Sequence, residues 1–182
     1  MDAAVVLPLA LAALIALALA LFLQRASGAL RATRRVERFQ QDAAALGARL
    51  DALLAATIVQ VDGVRRHEVD ACTVLDDLAD TMAALDGGLA DAEGLMAPPA
   101  QAASRLGIIA EVRHAQRALD MVQYGCQLAA GPRARARSTE SQIAIKRGYL
   151  NLLHAREALA QHVGDLAAAR GAVERTWRTS RV

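Results

Sequence analysis

The chain contains few of the residues that disulfide-stabilised domains and aromatic-rich binding modules depend on. Five of its 182 residues are aromatic, four are proline and two are cysteine. Cys72 and Cys126 are too few for a disulfide framework in a chain of this length, and both fall on apolar helical stripes. We therefore expect reduced thiols in a hydrophobic core. The abundance of alanine, leucine and arginine predicts an all-α protein.

Recognised catalytic motifs are also lacking. The sequence has no Gly-x-Ser-x-Gly elbow, no phosphate-binding loop and no dinucleotide-binding fingerprint. Glu111 and His114 have the spacing of a di-iron ligand pair, but a bundle site needs a second such pair and two more carboxylates. Ala71 stands where a zinc protease beginning at His67 would need its second histidine. We predict no enzyme activity, no cofactor and no metal, with a metal-binding bundle enzyme as a second alternative.

An uncharged segment near the amino terminus is the longest apolar run. Ala3 to Leu23 contains no polar side chain, and as a helix it would be about 31 Å long, close to the hydrocarbon thickness of about 30 Å. Residues 1–24 are therefore predicted to be a transmembrane anchor that contacts the lipid bilayer through residues 3–23. A cleaved signal peptide is the alternative, but the run is too long and no Lys or Arg precedes it.

Charges beside this segment predict its orientation. Asp2 is the only charged residue before it, whereas five arginines follow within about fifteen residues: Arg25, Arg31, Arg34, Arg35 and Arg38. The side of a transmembrane helix that is richer in Lys and Arg stays in the cytoplasm. We expect a single-pass protein of the plasma (inner) membrane with a short outside amino terminus, a basic juxtamembrane helical stalk at 25–49 and a cytoplasmic bundle at 50–182.

Apolar residues beyond the stalk recur at alternating three- and four-residue spacing, which predicts amphipathic helices. We favour one helix running from the membrane to about Leu85, over a turn at Gly63. Breaks are expected near 87–103, beginning at Gly87-Gly88, and near 131–138. The helices should form an antiparallel coiled-coil-like bundle of three helices, or of four if Gly63 is a turn. The same stripes could pair between chains.

Charge differs between the two ends of the body. Residues 51 to 93 contain ten acids and two arginines, net −8, and residues 131 to 182 contain ten basic residues and four acids, net +6. We expect the last helix to pack against the acidic one with opposite charges at the seam, which favours a particular register more than it adds stability.

Two groups of residues are candidate binding sites. The predicted partner surface lies on the last helix and consists of Tyr149, Leu152, Arg156, Leu159 and Trp177. A buried helix face is the other interpretation of the apolar residues between Ile145 and Leu159. The basic patch consists of Arg133, Arg135, Arg137, Lys146 and Arg147. It is predicted to be a solvated loop or a protein-docking patch, with nucleic acid disfavoured because no aromatic residues interleave the charges.

These features favour a membrane-anchored helical interaction or scaffolding protein that acts through helix packing on an unknown protein partner, with homo-oligomers allowed. A sensory or signalling bundle coupled to the anchor is the alternative. The layout resembles that of bacterial single-pass proteins with long helices behind an anchor, and this resemblance implies no particular activity.

Overall fold

The computed structural model describes the backbone of residues 3–179, the side chains of residues 31–168 and five side chains between residues 17 and 27. The described helices contain 86% of the residues of the protein, and the described part of the chain contains no strand. The helices are α1 (Ala3–Arg65), α2 (Leu75–Gly94), α3 (Ala102–Ala130) and α4 (Ser138–Thr179), with a short 3-10 helix at Pro99–Gln101. The prediction of an all-α fold is confirmed.

The chain divides into two compact units between Arg38 and Phe39. The first unit is the amino-terminal part of α1. Its described large apolar side chains, Leu17, Leu19 and Phe22, are 56 to 70% exposed. Most side chains of the predicted span 3–23 lie outside the described residues.

One described stretch of helix is long and apolar enough to cross a bilayer, and it is Arg31–Arg65, with a mean hydropathy of 1.5. This is weak support for an anchor, because a core helix has the same composition. In the most apolar 18-residue segment of this stretch, 39% of the residues are buried within the fold. The buried residues include Leu46, Leu50 and Leu54 of the bundle core.

The second unit is a bundle of four helices in which every neighbouring pair is antiparallel. Its buried core begins at Phe39, inside the segment 25–49 that the sequence assigned to a stalk, and extends to Leu166. Polar contacts between helices pair early residues of one helix with late residues of the next. These pairs are Arg49–Asp91 and Gln60–Asp77 for α1 and α2, Asp86–Gln116 and Glu93–Arg113 for α2 and α3, Tyr124–Glu140 and Ser141–Gly125 for α3 and α4, and Asp51–Arg156 and Gln40–Leu166 for α1 and α4.

The predicted helix continuing to Leu85 is wrong, because α1 ends at Arg65. Its end is a Schellman cap, in which the Glu68 N–H donates to the Gly63 carbonyl at 2.9 Å and the His67 N–H donates to the Val64 carbonyl at 3.0 Å. His67 takes the left-handed backbone conformation that this cap requires, with φ 61°. The chain then folds back to α2, so the bundle has four helices.

The connection between α2 and α3 lies within the predicted break of 87–103, but it begins only after Gly94, because Gly87-Gly88 lie within α2. Gly88 is buried at the α1–α2 seam, where a Cβ would lie 2.7 Å from Leu50 Cδ2. Packing against α1 therefore outweighs the low helix propensity of two glycines. The chain leaves α2 after Gly94, and Pro98-Pro99 mark the actual connection. The predicted break near 131–138 is confirmed, as α3 ends at Ala130 and α4 begins at Ser138.

Candidate interaction surface

The predicted partner surface on α4 is largely occupied by contacts within the bundle: two of its described members are buried and two, Tyr149 and Arg156, are half-buried. Leu152 and Leu159 belong to the core, with almost no exposed surface. Arg156 donates from Nε to Asp51 Oδ1 at 2.6 Å and from Nη2 to Oδ2 at 3.2 Å. Tyr149 lies under the guanidinium of Arg65, 5.1 Å from the ring centroid. The prediction is corrected, because α1 and α3 of the same chain already cover this stripe; the Trp177 side chain lies outside the described residues.

The basic patch is exposed throughout but does not form one surface. Arg133, Arg135 and Arg137 lie in the turns between α3 and α4, and Arg137 Nε is 3.4 Å from Glu140 Oε2. Lys146 and Arg147 follow on α4, where a helix separates adjacent residues by about 100°. Lys146 lines a cavity at the end of the bundle, and Arg147 lines a different groove between α3 and α4.

The outer face of α3 and α4 carries a group of exposed apolar side chains around Arg147. We call this group the α3–α4 patch, and it consists of Met121, Tyr124, Ile143, Arg147 and Leu150. The four uncharged members are 39 to 47% exposed. Met121, Ile143 and Arg147 line a common groove of about 560 Å³. Met, Tyr and Arg are the residue types that protein–protein interfaces favour over the rest of the surface.

Polar contacts hold the α3 side chains of the patch in place. The Tyr124 hydroxyl donates to Glu140 Oε1 at 2.8 Å, and this hydrogen bond raises the pKa of Tyr124 above its ordinary value. Asn151, on α4, contacts Met121 through its Nδ2 atom, which lies 3.7 Å from the Met121 Sδ atom. Side chains held in this way lose less conformational entropy when a partner binds.

A second concave site, the cavity that Lys146 lines, lies at the end of the bundle where α1 meets the start of α4. Its volume is about 570 Å³. Val64, Val69 and Ile145 are among its apolar lining residues, and Arg65, His67, Asp70 and Lys146 contribute polar groups. Of these groups, Arg65 is already paired with Asp62 at 2.6 Å.

The cysteines and histidines do not form a visible reactive centre in the described part of the chain. Cys126 is buried, as predicted, and burial raises the pKa of its thiol to about 11. Cys72 is exposed in the segment after α1, which corrects the prediction that it lies in the core. A hydrogen bond with Asp70 raises the pKa of the Cys72 thiol. No group of three metal-ligating side chains occurs among the described residues, and Glu111 contacts only His114, at 3.4 Å.

The chain matches no protein-family model, no curated protein and no solved structure.

Sequence reasoning missed the α3–α4 patch because it followed the heptad stripes. Ile143 and Leu150 lie beside the α4 stripe, and Met121 and Tyr124 lie beside the α3 stripe. A large apolar residue off the stripe is a usable signal for a binding surface, since the stripe alone supplies enough apolar area to pack a helix. The sequence did show that apolar residues cover two neighbouring stripes of α4, but it could not show which of these residues face outward.

Proposed function

We propose that this chain is a membrane-anchored helical interaction protein without catalytic activity, and that it binds a protein partner through the α3–α4 patch. The observation that carries this proposal is the patch itself. Four large apolar side chains remain exposed together around one arginine, although the bundle has a complete core of its own. Apolar side chains that are grouped in this way favour removal from water by a partner.

Attachment to a membrane is supported by the first unit. Leu17, Leu19 and Phe22 are exposed there, within an uncharged segment long enough to span the hydrocarbon core. Exposed arginines follow at 31, 34, 35 and 38, as expected for a cytoplasmic flank. The proposed location is therefore the plasma (inner) membrane, with the bundle in the cytoplasm.

Cys72 provides the test of this topology, because it is exposed whereas Cys126 is buried. A membrane-impermeant maleimide is added to intact cells and, separately, to lysed cells. We expect labelling of Cys72 only after lysis. A Cys72→Ser variant controls for reaction at Cys126 and should stay unlabelled in both samples. Labelling of the intact cells would place the bundle outside and overturn this part of the proposal.

Site-specific photocrosslinking in living cells tests the binding surface. A benzophenone amino acid is placed at Ile143 or, as a matched control, at Val59, which is apolar and 72% exposed on α1. We expect a crosslinked product from position 143 in excess of that from position 59. Equal yields at the two positions would show that the α3–α4 patch has no bound partner and would overturn the proposal.

A further inference from the structure

The exposed charges of α3 and α4 are arranged so that the α3–α4 patch can pair with itself. We propose that the partner on this surface is a second copy of the chain, in a two-fold dimer whose axis is parallel to the helices. This inference rests on the proposed function, because it names the occupant of the same surface. It follows from three features: the composition of the patch, the register of α3 against α4, and two exposed charges without an ion pair.

The register is defined by close contacts along the α3–α4 seam. Ser141 Oγ donates to the Gly125 carbonyl oxygen at 2.8 Å, and a Cβ on Gly148 would lie 2.7 Å from the Ala118 carbonyl oxygen. Residues between Ala118 and Gly125 on α3 are therefore level with residues between Ser141 and Gly148 on α4. Near one end of this interval Tyr124 is level with Ile143, and nearer the other end Asp120 is level with Arg147.

Asp120 and Arg147 have opposite charges, and both are exposed. Within the described residues neither has an oppositely charged partner within 4.0 Å. Asp120 lies one helical turn from Tyr124, so it shares the outer face of α3 with the patch. The surface formed by the α3–α4 patch and Asp120 therefore combines exposed apolar side chains with a negative charge on α3 and a positive charge on α4.

Symmetry then selects one arrangement of the two copies. A two-fold axis parallel to the helices places α3 opposite α4 of the partner subunit, with residues of the same level facing each other. Asp120 then faces Arg147 of the partner subunit, and this pair occurs twice. An axis perpendicular to the helices at this level would place Arg147 opposite its own copy, and like charges at an interface are unfavourable.

The apolar members fit the same arrangement. Tyr124 of one copy faces Ile143 of the partner subunit, which covers two of the most exposed side chains of the patch. The end of each bundle that contains Phe39 lies at the same end of the dimer, because a two-fold axis parallel to the helices preserves the direction of every helix.

Energy transfer between full-length chains in lipid vesicles tests the dimer. Cys72 is labelled with a donor or an acceptor, since it is exposed and belongs to neither α3 nor α4. We expect transfer that rises with the ratio of protein to lipid. Ile143→Glu should lower the association constant about tenfold or more, because a charge replaces the apolar side chain that faces Tyr124 of the partner subunit. The matched control, Val59→Glu, should leave it within about twofold.

A charge exchange tests the register. Asp120→Arg and Arg147→Asp should each weaken association about tenfold, because the two symmetric pairs become repulsive. An equimolar mixture of donor-labelled Asp120→Arg and acceptor-labelled Arg147→Asp chains should recover the wild-type association constant within about threefold, since both pairs are then attractive. Circular dichroism and thermal unfolding of each variant verify that the bundle is intact, and Leu150→Glu replaces Ile143→Glu if that variant does not fold.

Absence of energy transfer in the wild type, or transfer unchanged by Ile143→Glu, would overturn the dimer. Failure of the mixture to recover would overturn the register. Photocrosslinking from Ile143 separates this inference from the proposed function. A product of about twice the 19.2 kDa chain, composed of this chain alone, supports both. A product containing a different protein leaves the proposed function standing and overturns the dimer.

Discussion

His67 decides where α1 ends. It is the one non-glycine residue with positive φ among the described residues, at 61°. A Cβ in this conformation lies close to the following carbonyl oxygen, at a cost of about 1 to 2 kcal/mol. The residue is tolerated because the Schellman cap binds two carbonyl groups that would otherwise lack a partner at the end of α1.

Substitution of His67 should therefore change stability in a direction set by the backbone. We expect His67→Gly to raise the free energy of unfolding by about 0.5 to 1 kcal/mol, because glycine adopts positive φ without strain. His67→Val should lower it by more than about 1 kcal/mol, since a β-branched side chain is strongly disfavoured there. Urea denaturation measures both values. Stabilisation by valine would contradict the assigned cap.

The ion pair of Asp51 and Arg156 joins α1 to α4 near the surface. The hydrogen bonds that Arg156 donates hold the pKa of Asp51 below its ordinary value of 3.8, charge attraction adds to this, and partial burial opposes it. Their side chains are 44 and 38% exposed, so solvent screens the interaction and limits it to about 1 kcal/mol.

This pair should show a specific pH dependence. Because the folded-state pKa of Asp51 is depressed, its contribution to stability is fully present above 3.8 and is lost as the pH falls through the lower folded value. A double-mutant cycle of Asp51→Asn and Arg156→Gln should give a coupling of up to about 1 kcal/mol near pH 7, decreasing below about pH 4. A coupling that persists undiminished in acid would contradict the assignment.

At the scale of elements, α3 and α4 approach each other more closely than their large side chains would permit. Gly125 and Gly148 lie at their seam, and a Cβ on Gly148 would meet the backbone of α3 at 2.7 Å from the Ala118 carbonyl oxygen. Backbone atoms cannot rotate away as a flexible side chain can. The absence of a side chain at these positions therefore sets the distance between the two helices that carry the α3–α4 patch.

Two alanine substitutions distinguish packing from helix propensity. Gly148→Ala should lower the free energy of unfolding by about 1 to 3 kcal/mol, because the added Cβ forces the helices apart. Gly87→Ala is the matched control: nothing lies within 4 Å of its Cβ position, so it should raise stability by about 0.5 to 1 kcal/mol through helix propensity alone. Thermal or urea unfolding compares them, and a stabilising Gly148→Ala would refute the close approach.

Sequence reasoning located the helix stripes better than the helix ends. Ile108, Val112, Leu119 and Val122 were predicted from spacing and are all buried, because periodicity reports directly which face is apolar. Gly87 and Gly88 misled the prediction because propensity is a local property and α1 supplies the packing that overrides it. The Schellman cap was missed because its signal was a histidine in the position where glycine is usual.

For the whole molecule, the division between Arg38 and Phe39 predicts that the bundle folds without the amino-terminal segment. Among the side chains that the structure describes, the buried apolar ones lie between Phe39 and Leu166. A chain lacking residues 1–30 should therefore be soluble and unfold cooperatively, whereas the full chain should sediment with membranes. Fractionation followed by thermal unfolding measures both properties. A truncated chain that still sediments with membranes would move the attachment to the bundle or to residues 31–38.

The sequence by itself determined the helical class, the apolar face of each helix and the amino-terminal segment without charge, because composition and periodicity are local properties that any packing must respect. Only the tertiary structure decided that four helices form the bundle, that Tyr149, Leu152, Arg156 and Leu159 serve internal packing, and that Met121, Tyr124, Ile143 and Leu150 remain exposed. An apolar stripe has the same pattern whether its partner is internal or external. Which side chains stay exposed depends on how the other helices cover it.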